Sequence, residues 1–271
     1  MTLHKPLVIL KFGGSILTID SQFETFNEKV ASQLLSEISA LSTKFNFVLV
    51  HGAGSFGHYH AKEYDLKNGL KNDSQLVGVV KTHNSMLKLN SLFLSLFEKY
   101  ESLKPISFNP MTLCKTENGE IKSFYLDSIQ NALQLGLTPI LFGDVVFDEV
   151  LDVTILSGDK IVPYLALALE TTKIVMLTDV EGVYDDNPKK NPKAKLLQEI
   201  NLNNKELLKK ISANASSGKT RVTGEMEKKL LELEQVVKNG VETWIISGLK
   251  EQVLYSKLAT NDQNGTKIVV K

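Results

Sequence analysis

Phe47-Val48-Leu49-Val50-His51-Gly52-Ala53-Gly54-Ser55-Phe56-Gly57-His58 is a place where an apolar run breaks abruptly into small residues. Its first four side chains are apolar without alternation, as in a strand covered on both faces. The glycines beyond let the backbone turn tightly and approach a ligand with no Cβ in the way. With a helix starting near Tyr59, the unpaired N–H groups of the loop and first turn would face out past the strand end and favour an anion. His58 stands at the edge of that nest. Alone, the stretch also fits an ordinary glycine-rich connection between a strand and a helix.

A second transition of the same kind weighs against the ordinary reading. Leu7-Val8-Ile9-Leu10-Lys11-Phe12-Gly13-Gly14-Ser15 adds a lysine at the strand's end, a point charge aimed into the same crevice as the adjacent amides. Between the two, Phe26, Val30, Leu34, Leu35, Ile38 and Leu41 recur at helical spacing and predict an amphipathic helix over 25–44. Residues 65–74 are polar and read as a mobile loop, and 75–100 as one long helix. That helix carries an apolar stripe, mostly core, part of which could line an apolar substrate pocket.

Further on, Pro105 opens a short strand, Asn118-Gly119 signals a hairpin, and a short helix ends near Gly136. A buried strand over 138–142 leads into Gly143-Asp144, and 145–156 reads as a second hairpin. Ser157-Gly158-Asp159 opens a helix to about Glu170, with Pro163 near its start, where it costs least. Strands are predicted over 174–177, 241–246 and 267–270, a polar loop over 185–195, a flexible aperiodic stretch over 212–224 and a helix over 225–239.

Buried strands alternating with helices imply an α/β fold, with a mostly parallel open sheet covered on both faces. Ligands bind such sheets outside the strands' carboxyl ends, where all of these loops fall. No repeat, low-complexity tract or linker divides the chain. Residues 1–271 therefore read as one domain whose two lobes share a continuous sheet.

Composition narrows the function. The 271 residues are 42% hydrophobic and 23% charged, and 31 Lys plus Arg balance 31 Asp plus Glu. No global field attracts nucleic acid or an anionic membrane, so neither is expected as a partner. Cys114 is the single cysteine and cannot form an internal disulfide, which fits a reducing compartment. No apolar run is long enough to span a bilayer and no signal-peptide pattern precedes the first strand; the expectation is a cytoplasmic protein. Several anion-receiving loops along one sheet edge suit phosphoryl transfer, which needs positioning and charge neutralisation more than covalent participation. None has the Gly-x-x-x-x-Gly-Lys-Ser/Thr spacing of a P-loop.

Lys11-Phe12-Gly13-Gly14-Ser15, His51-Gly52-Ala53-Gly54, Ser157-Gly158-Asp159, the run from Thr178 to Tyr184 and Val222-Thr223-Gly224-Glu225-Met226 stand in this order along nearly the whole chain. In that ordered set the sequence resembles the amino acid kinase family. Ser55-Phe56-Gly57-His58, Phe142-Gly143-Asp144-Val145 and the 185–192 loop are similar to its isopentenyl phosphate kinase branch. Fosfomycin kinases are similar at the same histidine. A nucleotide-binding regulatory protein with little turnover is the alternative outside the enzymes.

The resemblance implies a three-layer αβα sandwich. A lobe of about 1–143 would bind the phosphate acceptor, and a lobe of about 144–271 would bind ATP with Mg²⁺. Lys11 would contact the transferring phosphoryl group, His58 the acceptor phosphate, Asp159 would orient lysines, and Lys229 would neutralise charge on the nucleotide. ATP contacts would come from Gly13, Gly14, Ser15, Ala53, Gly54, Thr178, Asp179, Gly182, Tyr184, Gly224 and Lys228. In the first loop, Gly13, Gly14 and Ser15 would supply amides to the phosphates. Gly52, Gly57 and Gly143 would face the acceptor's phosphate, and Val79, Val80 and Met86 its hydrocarbon tail. No protein ligand to a metal is assigned. A homodimer and a place in isoprenoid-precursor synthesis on the mevalonate pathway are implied in the same way. The chain departs from the branch at three points: Thr18-Ile19-Asp20 lacks the second lysine of a Thr-x-Lys arrangement, Ala53 stands where glycine is common, and Glu225 replaces a glycine.

Overall fold

Six consecutive buried residues, Leu7–Phe12, form β1 inside an eight-stranded sheet. The computed structural model describes residues 3–188, 191–215, 225–260 and 262–271, with backbone alone over 212–215 and 225–228. After β1 come the single turn α1 (Gly14–Leu17), α2 (Glu28–Leu41), β2 (Asn46–His51), α3 (Gly54–Glu63) and α4 (Ser74–Ser95). The middle of the chain holds β3 (Pro105–Ser107), α5 (Pro110–Leu113), β4 (Cys114–Glu117), β5 (Glu120–Phe124), α6 (Asp127–Gln134), β6 (Thr138–Phe142), β7 (Asp144–Asp148) and β8 (Asp152–Leu156). Then follow α7 (Gly158–Ala168), β9 (Lys173–Thr178), β10 (Glu199–Asn201), α8 (Lys205–Ala215), α9 (Glu225–Glu232), α10 (Glu234–Lys238), β11 (Glu242–Ser247), α11 (Val253–Ala259) and β12 (Thr266–Val269).

The large sheet runs β10-β12-β11-β9-β1-β2-β6-β3, and its neighbours are parallel except β11 with β12. Side chains of β1 alternate between two cores. Leu7 and Ile9 pack with α6, α7, α8 and α10 on one face, whereas Val8, Leu10 and Phe12 pack with α2, α11 and the end of α4 on the other. Helices on both faces of a mainly parallel sheet make the expected three-layer α/β sandwich. The same alternation turns Lys11 toward the α7 face.

A second sheet, β5-β4-β7-β8, grows from the first where the chain passes through Gly143. Asn118 and Gly119 turn its first hairpin with φ of 54° and 77°, the left-handed pair that the Asn-Gly signal predicts. Asp148 ties both hairpin tips together by accepting from the amides of Asn118, Gly119, Val150 and Leu151.

Several local expectations give way to packing. Residues 65–74 are held, not loose: Leu66 is fully buried, and the Gln75 side chain accepts from Lys71 and Asn72 amides while donating to the Tyr64 and Gly69 carbonyls. The long helix stops at Ser95 and continues as a tighter turn, Leu96–Lys99. Pro163 sits inside α7, not at its start, and removes the helical donor to the Asp159 carbonyl. Of the stretch read as flexible, 212–215 belong to α8 and 216–224 lie outside the described residues, and the predicted 225–239 helix breaks at Leu233. The elements α11 and β10 are short and lack a clear period of their own, so their places come from docking on the sheet. Among the described residues no helix is long and apolar enough to cross a membrane.

Candidate active site

Parallel register sets the carboxyl ends of four strands side by side, with Phe12 opposite both His51 and Leu177, and His51 opposite Phe142. The glycines that follow extend the ladder by one bond each. Gly13 N donates to Leu177 O at 2.9 Å, Gly52 N to Phe12 O at 2.9 Å and Gly143 N to His51 O at 3.0 Å. The Gly13 amide is therefore not free to serve ATP, contrary to expectation, and Gly52 and Gly143 cannot face a phosphate through theirs. Gly57 N is likewise committed, to Ala53 O within α3. Among the described residues the amides of Gly14, Ser15, Ala53, Gly54, Gly158 and Asp159 make no hydrogen bond. They lie at the starts of α1, α3 and α7, where unpaired donors collect.

These loops touch backbone to backbone. A Cβ on Gly14 would meet Gly54 N at 2.4 Å, and Gly54 itself has φ of +48°. Thr18, read from the sequence only as the start of a Thr-x-Lys arrangement without its lysine, locks the contact. Its hydroxyl donates to Gly14 O at 2.9 Å and accepts from Ser55 N at 2.9 Å, joining α1 to α3. Thr18 occupies a buried structural position, whereas Asp20, at the site of the missing lysine, is exposed.

Behind the loops, Lys11 Nζ lies 2.9 Å from Asp159 Oδ1, and Lys229 Nζ lies 3.6 Å from Asp159 Oδ2. Burial alone would raise the Asp159 pKa, but the two ammonium groups outweigh it and hold the carboxyl at about 2. The pair of lysines is thus oriented by one ionised carboxylate at the N-terminus of α7, where the helix dipole also favours a negative charge. Glu232, three residues beyond Lys229 on α9, was not read from the sequence. Burial and the neighbouring Asp159 push its carboxyl up to about 7, against Lys160 and Lys229. Spacing of three along one helix is the only sequence signal that could have tied it to Lys229.

On the other side of β1, Ser15 Oγ donates to Asp179 Oδ1 at 3.2 Å. Thr178 Oγ1 folds back onto Val180, accepting from its amide and donating to its carbonyl. Gly182 packs against Thr266, and Tyr184 is half-buried beside Leu196. Gly224 lies outside the described residues, as does the side chain of Lys228.

On the acceptor side, His58 is exposed in the first turns of α3. Val79, Val80 and Met86 do not come together as expected. Val79 packs with Leu66, Val145 and Val153, Met86 with Phe56, Leu89 and Phe142, and Val80 is 58% exposed on the outer face of α4. Only the first and last are spaced to share one face of the helix. The methyl of Ala53 is accommodated against the Met86 cluster.

The sequence model of the amino acid kinase family matches residues 6–247. The chain belongs to the amino acid kinase family. It is similar to an isopentenyl phosphate kinase of Methanothermobacter thermautotrophicus, at 33% identity over 98% of this chain and 100% of that protein. An isopentenyl phosphate kinase of Arabidopsis thaliana is 35% identical over 81% of this chain and 69% of its own. A crystal structure of an isopentenyl phosphate kinase matches with a TM-score of 0.83 and 30% identity, covering 97% of this chain and 100% of that one.

Two features of this amino acid kinase bear on what its site can hold. Unspent amides and two ammonium groups fit the oxygens of a polyphosphate. For Mg²⁺ the residues supply no cage: among the described residues no three His, Cys, Asp or Glu side chains converge, and the Asp159 oxygens face lysines.

His51 is the buried keystone between β2 and α4. Its Nδ1 lies 3.1 Å from Gly52 O, its Nε2 3.4 Å from Asn90 Oδ1, and its ring stacks on Phe142. Burial drives its pKa down to about 4. The unfolded chain binds this proton below about pH 6.5 and the native kinase does not, so native stability falls as pH drops from about 6.5 to about 4. Urea unfolding at pH 7 and pH 4 is expected to show about 3 kcal/mol more acid loss in wild type than in His51→Gln. Equal losses would refute the neutral, buried imidazole.

Proposed function

We propose that this chain is an ATP-dependent kinase that phosphorylates isopentenyl phosphate to isopentenyl diphosphate. The observation that carries the reading is the cluster of Lys11, Asp159 and Lys229 behind two mutually packed glycine loops, with His58 on the helix that leaves the second loop. Identity of 30% or more to isopentenyl phosphate kinases across nearly the whole chain supports this acceptor over the other members of the family.

A phosphate monoester has a second pKa of about 6, so at neutral pH it is an anionic nucleophile without a general base. The residues must instead offset repulsion between two phosphate groups. Lys11 and Lys229 supply positive charge in an orientation set by Asp159, and the free amides of Gly14, Ser15, Ala53, Gly54 and Gly158 supply donors. His58 holds the acceptor phosphate in line. ATP lies toward Ser15, Asp179, Thr178 and Gly182, over the C-terminal part of the sheet, and the acceptor lies toward α3, α4 and Gly143. Mg²⁺ would be held through the nucleotide's phosphates, since among the described residues no three His, Cys, Asp or Glu side chains converge. The same reading takes in a homodimer working in the cytoplasm on isoprenoid precursors.

An assay with ATP and Mg²⁺ offers isopentenyl phosphate, fosfomycin, UMP and glutamate to wild type and to His58→Ala. Transfer to isopentenyl phosphate is expected, with kcat/KM at least about tenfold lower in His58→Ala through loss of a charge-assisted hydrogen bond. Transfer to another acceptor alone, or ATP binding without transfer, would overturn the reading.

A further inference from the structure

At Gly143 the chain leaves the eight-stranded sheet and, one residue later, enters the four-stranded one. The corner is tight. A Cβ on Gly143 would lie 3.2 Å from Gly158 N and 3.6 Å from Ser157 Cα, so the corner backs onto the start of α7 that carries Asp159. The next residue, Asp144, is a carboxylate only 2% exposed, followed by the fully buried Val145 and Val146. Such a burial is tolerable only when the carboxylate is hydrogen-bonded. Oδ1 accepts from Val145 N at 2.8 Å, and Oδ2 accepts from His83 Nδ1 at 2.7 Å.

His83 lies on α4 in one row with Val79, Met86 and Asn90, at spacings of four, three and four residues. Each member of the row meets a different part of the acceptor side. Val79 packs on the β7–β8 hairpin, Met86 Sδ lies 2.7 Å from where a Cβ on Gly57 would stand, beside His58, and Asn90 meets the His51 ring. One helix therefore touches both the His58-bearing turn of α3 and the Gly143 corner. We infer that His83 and Asp144 are a positioning pair that clamps the Gly143 corner to α4 and so sets the gap between that corner and His58, where the acceptor phosphate sits. The inference rests on the acceptor assignment made above. The hydrogen bond to Asp144 raises the His83 pKa, while burial raises that of Asp144.

Steady-state kinetics of wild type, His83→Ala and His83→Gln, with ATP and acceptor varied separately, tests the pair. His83→Ala is expected to raise the acceptor KM by about tenfold or more while the ATP KM stays within about twofold. His83→Gln, whose amide can donate the same bond, is expected to recover the acceptor KM to within about threefold. A purely structural role would move both KM values together, or lower the active fraction with neither changed. Either result, or an unrescued His83→Gln that remains folded, would overturn the pair. If wild type uses fosfomycin or UMP instead of isopentenyl phosphate, the acceptor assignment fails. The same separation of KM values, read with that acceptor, still decides the pair.

Discussion

Lys11→Met is expected to lower kcat for phosphoryl transfer by about a thousandfold, the scale on which removal of one preorganised charge from a transition-state site is felt. Lys11 is 9% exposed and shares Asp159 with Lys229. Its loss leaves a buried carboxylate with one partner at 3.6 Å and is expected to cost about 3 kcal/mol of stability. A second substitution, Asp159→Asn, separates the two effects. In the double variant much of the stability should return, because the uncompensated charge is gone, while kcat should not. Urea titrations alongside single-turnover assays would measure both, and a Lys11→Met kcat within tenfold of wild type would rule out its place at the transferring group.

Gly14→Ala should be nearly as damaging although it removes no functional group. Its methyl carbon would stand 2.4 Å from Gly54 N and 2.7 Å from Gly54 Cα, both backbone atoms at the start of the helix that carries His58. Neither can yield unless α1 and α3 move apart, against the Thr18 hydroxyl that joins them. Overpacking of this kind costs about 1–3 kcal/mol, and a displacement of about 1 Å at reacting groups costs about a hundredfold in rate. A shifted urea midpoint with kcat/KM reduced about a hundredfold is the expected result. Unchanged values for both would mean that the two loops are not in contact.

The two glycine loops differ in how far local reading could reach. That Phe12 and His51 end strands and that glycines follow was legible, because an apolar run breaking into small residues is a feature of a few consecutive positions. Which amides stay free was not. Gly13, Gly52 and Gly143 spend theirs on Leu177, Phe12 and His51, partners chosen by the order and register of strands far apart in the chain. Ala53 and Glu232 illustrate the same division. A methyl where glycine is common packs against the cluster of Phe56, Met86, Leu89 and Phe142, and a glutamate with no motif around it lies beside Asp159.

By itself the sequence determined the α/β class and the placement of candidate loops at one sheet edge, and it put forward Lys11, His58, Asp159 and Lys229 as candidates, because these readings follow from local periodicity and from motifs in a set order. The tertiary structure alone decided that Lys11 lies 2.9 Å and Lys229 3.6 Å from Asp159, that Val80 faces solvent while Met86 backs Gly57, and that His83 reaches Asp144. Hydrogen-bond partners, burial and the facing of a helix are properties of what packs against a residue. A run of neighbours along the chain does not contain them.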